Sequence, residues 1–270
     1  MDSVVFSFLL ALGFANNKTM SESSRFPGIS DAVSSTSHCK NRNSSNACTG
    51  STESMIEVLM IADVVCPYCY IGYWRLQKAV SKVHELGLPF KVQIKYEPFI
   101  LRRHLPREGI DKISVFRKQF GSEAQARQVF AGISQTAAAD RLCFDPTGQR
   151  AGNSEDAHRL LLWAGSFGKT LALYESMVKA YNCERGWLGD HEVLVSCAAE
   201  VGLNAGDARM VLNNASHGLE SLNTGLDYSN SLGVSGVPYF VVVNKSKTFS
   251  GAISSAEFVH FFKKLAGRSM

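Results

Sequence analysis

The feature that most constrains this chain is a strand-forming run that ends on a pair of cysteines. Ile56 to Val65 (IEVLMIADVV) is apolar, rich in β-formers and long enough to be a buried central strand. It runs straight into Cys66-Pro67-Tyr68-Cys69. Proline is favoured in the first turn of a helix, where its missing N–H is not needed. The stretch that follows keeps apolar residues at Leu76, Val80 and Val83 and reaches Gly87, a glycine suited to a C-cap. Phe90, Val92, Ile94 and Tyr96 then alternate with Lys91, Gln93 and Lys95, the period of a half-buried strand. Strand, helix and strand of these lengths predict a right-handed βαβ unit.

A CxxC motif has two common readings, half a zinc site or a redox dithiol. Zinc requires four ligands. The other five cysteines (Cys39, Cys48, Cys143, Cys183, Cys197) stand alone and no two histidines lie at ligand spacing, so no metal site is expected. The strand-to-helix context favours redox chemistry. It sets Cys66 at a helix N-terminus, where the macrodipole and unpaired N–H groups stabilise a thiolate. Cys66 is therefore the expected nucleophile, and Cys69, one turn along, the resolving thiol. Pro67 and Tyr68, between them, tune the poise: one withholds an N–H donor, the other adds an aromatic group without positive charge. The isolated Cys143, Cys183 and Cys197 read as small buried hydrophobes.

Beyond this unit the strand signal fades. From about Ile110 to Leu232 the pattern is helical: Leu171, Tyr174, Val178 and Tyr181 share one face, and Asp190 before HEVLVSCAAEVG has the character of an N-cap. Val237 to Val243 (VPYFVVV) is a β run with its proline near the start, where a strand tolerates one. A turn, a short partner strand at Thr248 to Ser250, and a closing helix capped by Ser254 or Ser255 complete the chain. Phe258, Phe261, Phe262 and Leu265 form that helix's apolar side. The expected organisation is an α/β domain in two parts, 55–105 and 233–270, with an all-α domain at 106–232 inserted between them. Residues 1–54 are read as a leader and disordered tail.

That tail has its own signals. Val4 to Ala15 is an apolar stretch the size of a signal-peptide core, but its n-region carries Asp2 and no basic residue, so cytoplasmic and secretory locations both stay open. Twenty of the 39 residues from Asn16 to Ser54 are Ser, Thr or Asn, too polar to offset the entropy of ordering. Asn17 and Asn43 head formal glycosylation acceptors, and Met55 could begin a shorter product. No stretch elsewhere is long and apolar enough to predict a membrane span. The net charge of +4 rests on scattered basic residues, which argues against a nucleic-acid surface.

Several separated strings occur in a telling order: DVVCPYCYIG, the strand end Glu97-Pro98-Phe99, NSEDAHRLLLWAG, GDHEVL, and GVSGVPYFVV followed by SGAISSAEFV. Together they resemble the DsbA-like thioredoxin family, in its FrnE-like branch, from about Ile56 to Leu265. The resemblance implies a thioredoxin domain with an inserted helical domain, and makes Cys66 and Cys69 the redox pair. It also implies that Val237-Pro238 is a cis peptide packed against them, whose exposed backbone pairs with an extended substrate. Unaided, the sequence gives only a proline opening a strand, for which trans is the default. His158 and Asn153 match the family's pattern; a helix-face histidine is also commonly structural. Asp63, three residues before Cys66, is either a proton shuttle to Cys69 with a raised pKa or a solvated or capping carboxylate at a strand end. Where relatives carry an aromatic and a small polar residue, this chain has Asn182-Cys183, which leaves that surface open and could set a third thiol nearby.

Three functions follow as expectations. The first is a thiol–disulfide oxidoreductase (oxidase, reductase or isomerase) acting on protein or peptide thiols, with no bound cofactor and glutathione as the small redox partner to consider. The alternative is a glutathione-dependent transferase or isomerase of the kappa or 2-hydroxychromene-2-carboxylate isomerase type; those use a serine at the first motif position, where this chain has Cys66. An idle binding module would be expected to lose a cysteine, and both are present. The sequence leaves the oligomeric state open.

Overall fold

A computed structural model describes residues 54–146 and 150–267. The leader, the polar tail, Cys39, Cys48 and both glycosylation acceptors lie outside the described residues.

The predicted βαβ unit is present. Strand β1 (Ser54–Ala62) pairs in parallel with β2 (Phe90–Pro98), from Ser54 opposite Phe90 to Ala62 opposite Pro98, and helix α1 (Pro67–Glu85) connects them. The strand ends at Ala62 rather than Val65, because the chain turns there: the Cys66 N–H donates to the Asp63 carbonyl at 3.2 Å. Gly87, with φ of +60°, follows α1 in the left-handed region expected of a helix stop.

Four more described strands lie in two sheets. For the main sheet, β5 (Tyr239–Val242) runs antiparallel on the free side of β1, and β6 (Lys247–Ser250) pairs with β5, giving the order β2-β1-β5-β6. The central strand is buried on both faces. On one face Phe240 meets Phe258 of α9 (Ser255–Ala266) edge to face at 5.2 Å, and Phe249 does so at 5.1 Å. On the other, Leu59 and Ile61 pack with Val234, Tyr239 and Val241. Ser254 opens α9 with a reciprocal capping box: its hydroxyl accepts the Glu257 N–H, and the Glu257 carboxylate accepts the Ser254 N–H.

Between β2 and β5 the chain is largely helical: α2 (Lys112–Phe120), α3 (Glu123–Ala139), α4 (Glu155–Gly165), α5 (Thr170–Cys183), α6 (His191–Glu200), α7 (Ala205–Asn213) and α8 (Leu219–Ser231). Asp190 caps α6 as expected, accepting the Glu192 N–H at 2.9 Å. The stripe Tyr174, Val178 and Tyr181 on α5 is buried. Helix α8 docks on the end of β2, where a Cβ on Gly225 would lie 2.7 Å from Pro98 Cγ, so only glycine permits that approach. The block is not purely helical, however. A two-residue ladder joins β3 (Ile110–Asp111) to β4 (Arg150–Ala151), each strand too short to leave a period-two signal. Among the described residues no helix is long and apolar enough to cross a membrane.

Candidate active site

Cys66 is the N-cap residue of α1, with extended backbone (φ −92°, ψ 115°), and Pro67 occupies the first helical position. No side chain caps this end, so the first-turn N–H groups are unclaimed by a capping side chain. Opposite lies the segment ahead of β5. Val237–Pro238 is cis, and the Cys66 Sγ sits 3.7 Å from the Val237 carbonyl oxygen. Helix α1 presses close to this proline because residue 72 is glycine: a Cβ there would lie 2.9 Å from Pro238 Cγ. Both cysteines of the motif are free thiols; Cys66 is 5% exposed and Cys69 fully buried. Burial pushes the Cys69 thiol well above the usual thiol range, and the hydrogen bond and charge of Cys66 push it further. Tyr68 is raised to about 12, first by burial and then by the charge of Cys66.

Beneath the dithiol lies a closed polar cluster. Asp63 is fully buried, which excludes the solvated reading. Its Oδ2 accepts the Leu101 N–H at 2.8 Å. Its Oδ1 accepts the Ser154 hydroxyl at 2.8 Å and the Val65 N–H at 3.3 Å, with His158 Nε2 at 3.3 Å. Burial alone would raise this carboxyl, but the hydrogen bond and charge of His158, with the other donors, hold it below the usual carboxylate range. The raised-pKa acid expected at this position is therefore not found: the donors keep Asp63 ionised. An ionised carboxylate can only accept, so Nε2 of His158 carries a proton. Nδ1 of the same ring lies 2.6 Å from the Tyr96 hydroxyl, which also reaches the Ala62 carbonyl at 3.2 Å.

Asn153 does not join this cluster. Its Oδ1 accepts the Glu155 N–H at 2.8 Å and its Nδ2 donates to the Arg103 carbonyl at 3.0 Å, capping α4 and fastening the loop that presents Leu101. The exchange is instructive: Ser154 is the N-cap residue, yet its hydroxyl turns away to Asp63 while its neighbour does the capping. Sequence reasoning did not single out Ser154, Tyr96 or the Leu101 amide. Tyr96 falls on the apolar face of β2, and nothing in the pattern marks its hydroxyl as partnered.

The isolated cysteines need correction. Cys197 is a buried free thiol, as read, but Cys143 and Cys183 form a disulfide. Cys183 thus brings a bridge, not a third free thiol, to the neighbourhood of α1. Nothing in the pattern points to it, since forty residues of separation say nothing about proximity in space. Among the described residues no group of three or more His, Cys, Asp or Glu side chains could hold a metal ion.

Comparison with known proteins places this geometry. Residues 57–263 match the DSBA-like thioredoxin domain. Among solved structures, a probable DsbA oxidoreductase of Streptomyces coelicolor is 27% identical with a TM-score of 0.71, over 78% of this chain and 90% of that one. A 2-hydroxychromene-2-carboxylate isomerase is 13% identical with a TM-score of 0.56, over 78% of this chain and 95% of that one, a likeness of fold alone. The same holds for the cytosolic disulfide reductase DsbM of Pseudomonas aeruginosa, 14% identical with a TM-score of 0.53, over 78% and 95%. No curated protein matches the chain. The family match spans both parts of the main sheet and all the helices between them, with the free dithiol at the head of α1: the chain belongs to the DSBA-like thioredoxin domain family.

Proposed function

We propose that the protein exchanges disulfides with protein or peptide thiols through Cys66 and Cys69. The observation that carries this reading is the placement of the Cys66 sulfur at the head of α1, 3.7 Å from the Val237 carbonyl. Val237 precedes β5, whose ladder to β1 starts at Tyr239, so an extended peptide laid along Val237 would bring its sulfur to Cys66. The Cys66 thiolate attacks a substrate disulfide; one substrate sulfur leaves, and a mixed disulfide forms. Cys69 then attacks Cys66, releasing the second substrate sulfur and closing the Cys66–Cys69 disulfide.

The order of these steps has an electrostatic basis. After burial, the largest causes that hold the proton on Cys69 are the hydrogen bond and the charge of Cys66, with the charge of Asp63 a smaller one. The two that come from Cys66 vanish once it is tied into a mixed disulfide, so the resolving thiol becomes easier to ionise at the moment it is needed. Asp63 then serves as acceptor for its proton, with His158 and Ser154 holding the carboxylate in place. In this reading Asn153 acts only through the loop it fastens, and glutathione is a small redox partner rather than a bound cofactor.

Trapping tests the scheme. Cys69→Ser should accumulate a Cys66 mixed disulfide with a disulfide-bonded peptide, and Cys66→Ser should form none. Failure of Cys66 and Cys69 to form a reversible pair, followed by peptide mapping after alkylation, would sink the proposal. The potential of the pair sets the direction: near −270 mV it acts as a reductant, near −120 mV as an oxidant, the approximate values of thioredoxin and DsbA.

A further inference from the structure

Cys143 and Cys183 join the connection after α3 to the end of α5, with Cα atoms 5.6 Å apart. Cys143 is exposed and Cys183 half-buried, so the bridge lies at the surface of the fold. The inner side of the bridge faces α1. Tyr70, the residue after Cys69, is 4% exposed, and its hydroxyl lies 3.6 Å from the Cys183 sulfur and 3.8 Å from that of Cys143. The bridge is not what alone holds the segment down. The Asp145 N–H donates to the Asn182 carbonyl at 2.7 Å, and Arg185 Nε pairs with the Asp145 carboxylate at 2.7 Å. Opening the bond would leave the connection attached to α5.

We propose that Cys143–Cys183 is a second thiol–disulfide exchange site, which takes low-molecular-weight thiols at Cys143 and uses the Tyr70 hydroxyl to receive the leaving sulfur. An incoming thiolate attacks the Cys143 sulfur. A mixed disulfide forms there as the Cys143–Cys183 bond breaks, and the electron pair of that bond leaves on Cys183. The Tyr70 hydroxyl, nearer to Cys183 than to Cys143, donates a hydrogen bond to this thiolate, which then takes a proton from water. A second thiolate attacks the external sulfur of the mixed disulfide and releases Cys143, which is protonated in turn. Two thiols become one external disulfide, and the protein takes up two electrons and two protons. The site thus provides a second two-electron store against the helix that carries the first.

The test removes the first store. In a Cys66→Ser/Cys69→Ser chain, the folded protein is equilibrated in glutathione buffers of varied ratio and alkylated, and Cys143 and Cys183 are followed by peptide mapping. The two should pass together between bridged and free forms while the circular dichroism spectrum stays constant. A bridge untouched by excess reduced glutathione in the folded chain, and opened only in denaturant, would overturn the proposal and make it a structural clip. Tyr70→Phe in the same background should slow reduction about tenfold, the loss of one hydrogen bond to a charged sulfur. An unchanged rate would overturn the role given to Tyr70. Because the dithiol is absent, neither result depends on the chemistry proposed for Cys66 and Cys69.

Discussion

His158 and Arg159 are neighbours on α4, both fully buried, and they do opposite things. One residue of helix turns a side chain by about 100°, enough to send the two into different parts of the molecule. Arg159 points at the end of α7. It donates to the carbonyls of Val211 (3.1 Å), Leu212 (3.3 Å), Asn214 (2.9 Å) and His217 (2.7 Å), and it pairs with Asp156 at 2.7 Å. The guanidinium fork can satisfy carbonyls that a helix end leaves orphaned, and it stays charged throughout. His158 points at Asp63, beneath the dithiol, and its hydrogen bond is the first of those that hold that carboxyl low. The contrast teaches that burial of a charge does not by itself mark a site, since Arg159 is as buried as His158 and serves a helix end.

The largest effect expected is at the structural member of the pair. Arg159→Met should leave Asp156 buried with a partner lost and take a donor from four carbonyls, of which that of Asn214 keeps the His217 N–H, at about 3–5 kcal/mol of unfolding free energy. Denaturant titration measures it, and a loss under about 1 kcal/mol would refute the account. The alkylation rate of Cys66 in the folded fraction should not change. The comparison would break if it did, because Arg159 would then belong to the site.

Next is Asp63→Asn. If Asp63 accepts the Cys69 proton, resolution of a trapped mixed disulfide should slow by about a hundredfold, the lower range of general-base effects. A resolution rate within twofold of the parent chain would remove Asp63 from the mechanism. The same variant has a signature in pH. Asp63 is held below its unfolded value of 3.8, so the stability it contributes is complete above that value and is lost as pH falls through the lower folded one. Asp156 behaves likewise, because the hydrogen bonds of His191 and Arg159 outweigh its burial. Acid unfolding of Asp63→Asn should therefore be less steep than that of the parent, with the remaining slope owed partly to Asp156.

These predictions separate what the residues reveal in order from what they reveal only in space. The βαβ unit, the capped closing helix and the inserted helices were legible because each rests on local periodicity or a local cap. The dithiol and Pro238 were legible as motifs. The two-residue β3–β4 ladder was not, having no period to read, nor was the pairing of Cys143 with Cys183. Asp63 and His158 were each singled out, but 95 residues separate them, and only the packing of α4 beside the strand end brings them together. The state of Asp63 was misread for the same reason: its own surroundings in sequence supply one amide donor, while Leu101, Ser154 and His158 arrive from elsewhere.

His158→Phe should cost about 1–3 kcal/mol, the range for leaving a buried acceptor short of a donor. Its sharper signature is in the pH profile. With the imidazole gone, the first of the groups that hold Asp63 low is lost, so the acid limb of the resolution rate should move toward higher pH. A uniform drop in rate with an unmoved limb would mean that His158 only fills space.

The smallest effect is expected from Tyr96→Phe, and it asks which partner sets the state of the imidazole. The ring would stay packed between His158, stacked at 6.1 Å, and Tyr174 at 5.5 Å, so only the hydroxyl is lost, at about 1 kcal/mol. Without that hydroxyl, Nδ1 of His158 loses its partner. If Asp63 dictates the tautomer, the proton must remain on Nε2, because the carboxylate can only accept. Nitrogen chemical shifts of the labelled imidazole should then report the same tautomer in Tyr96→Phe as in the parent chain. A switch to Nδ1–H would show that the tyrosine sets the proton's position, and His158 would then resemble Arg159 more than its place beneath the dithiol suggests.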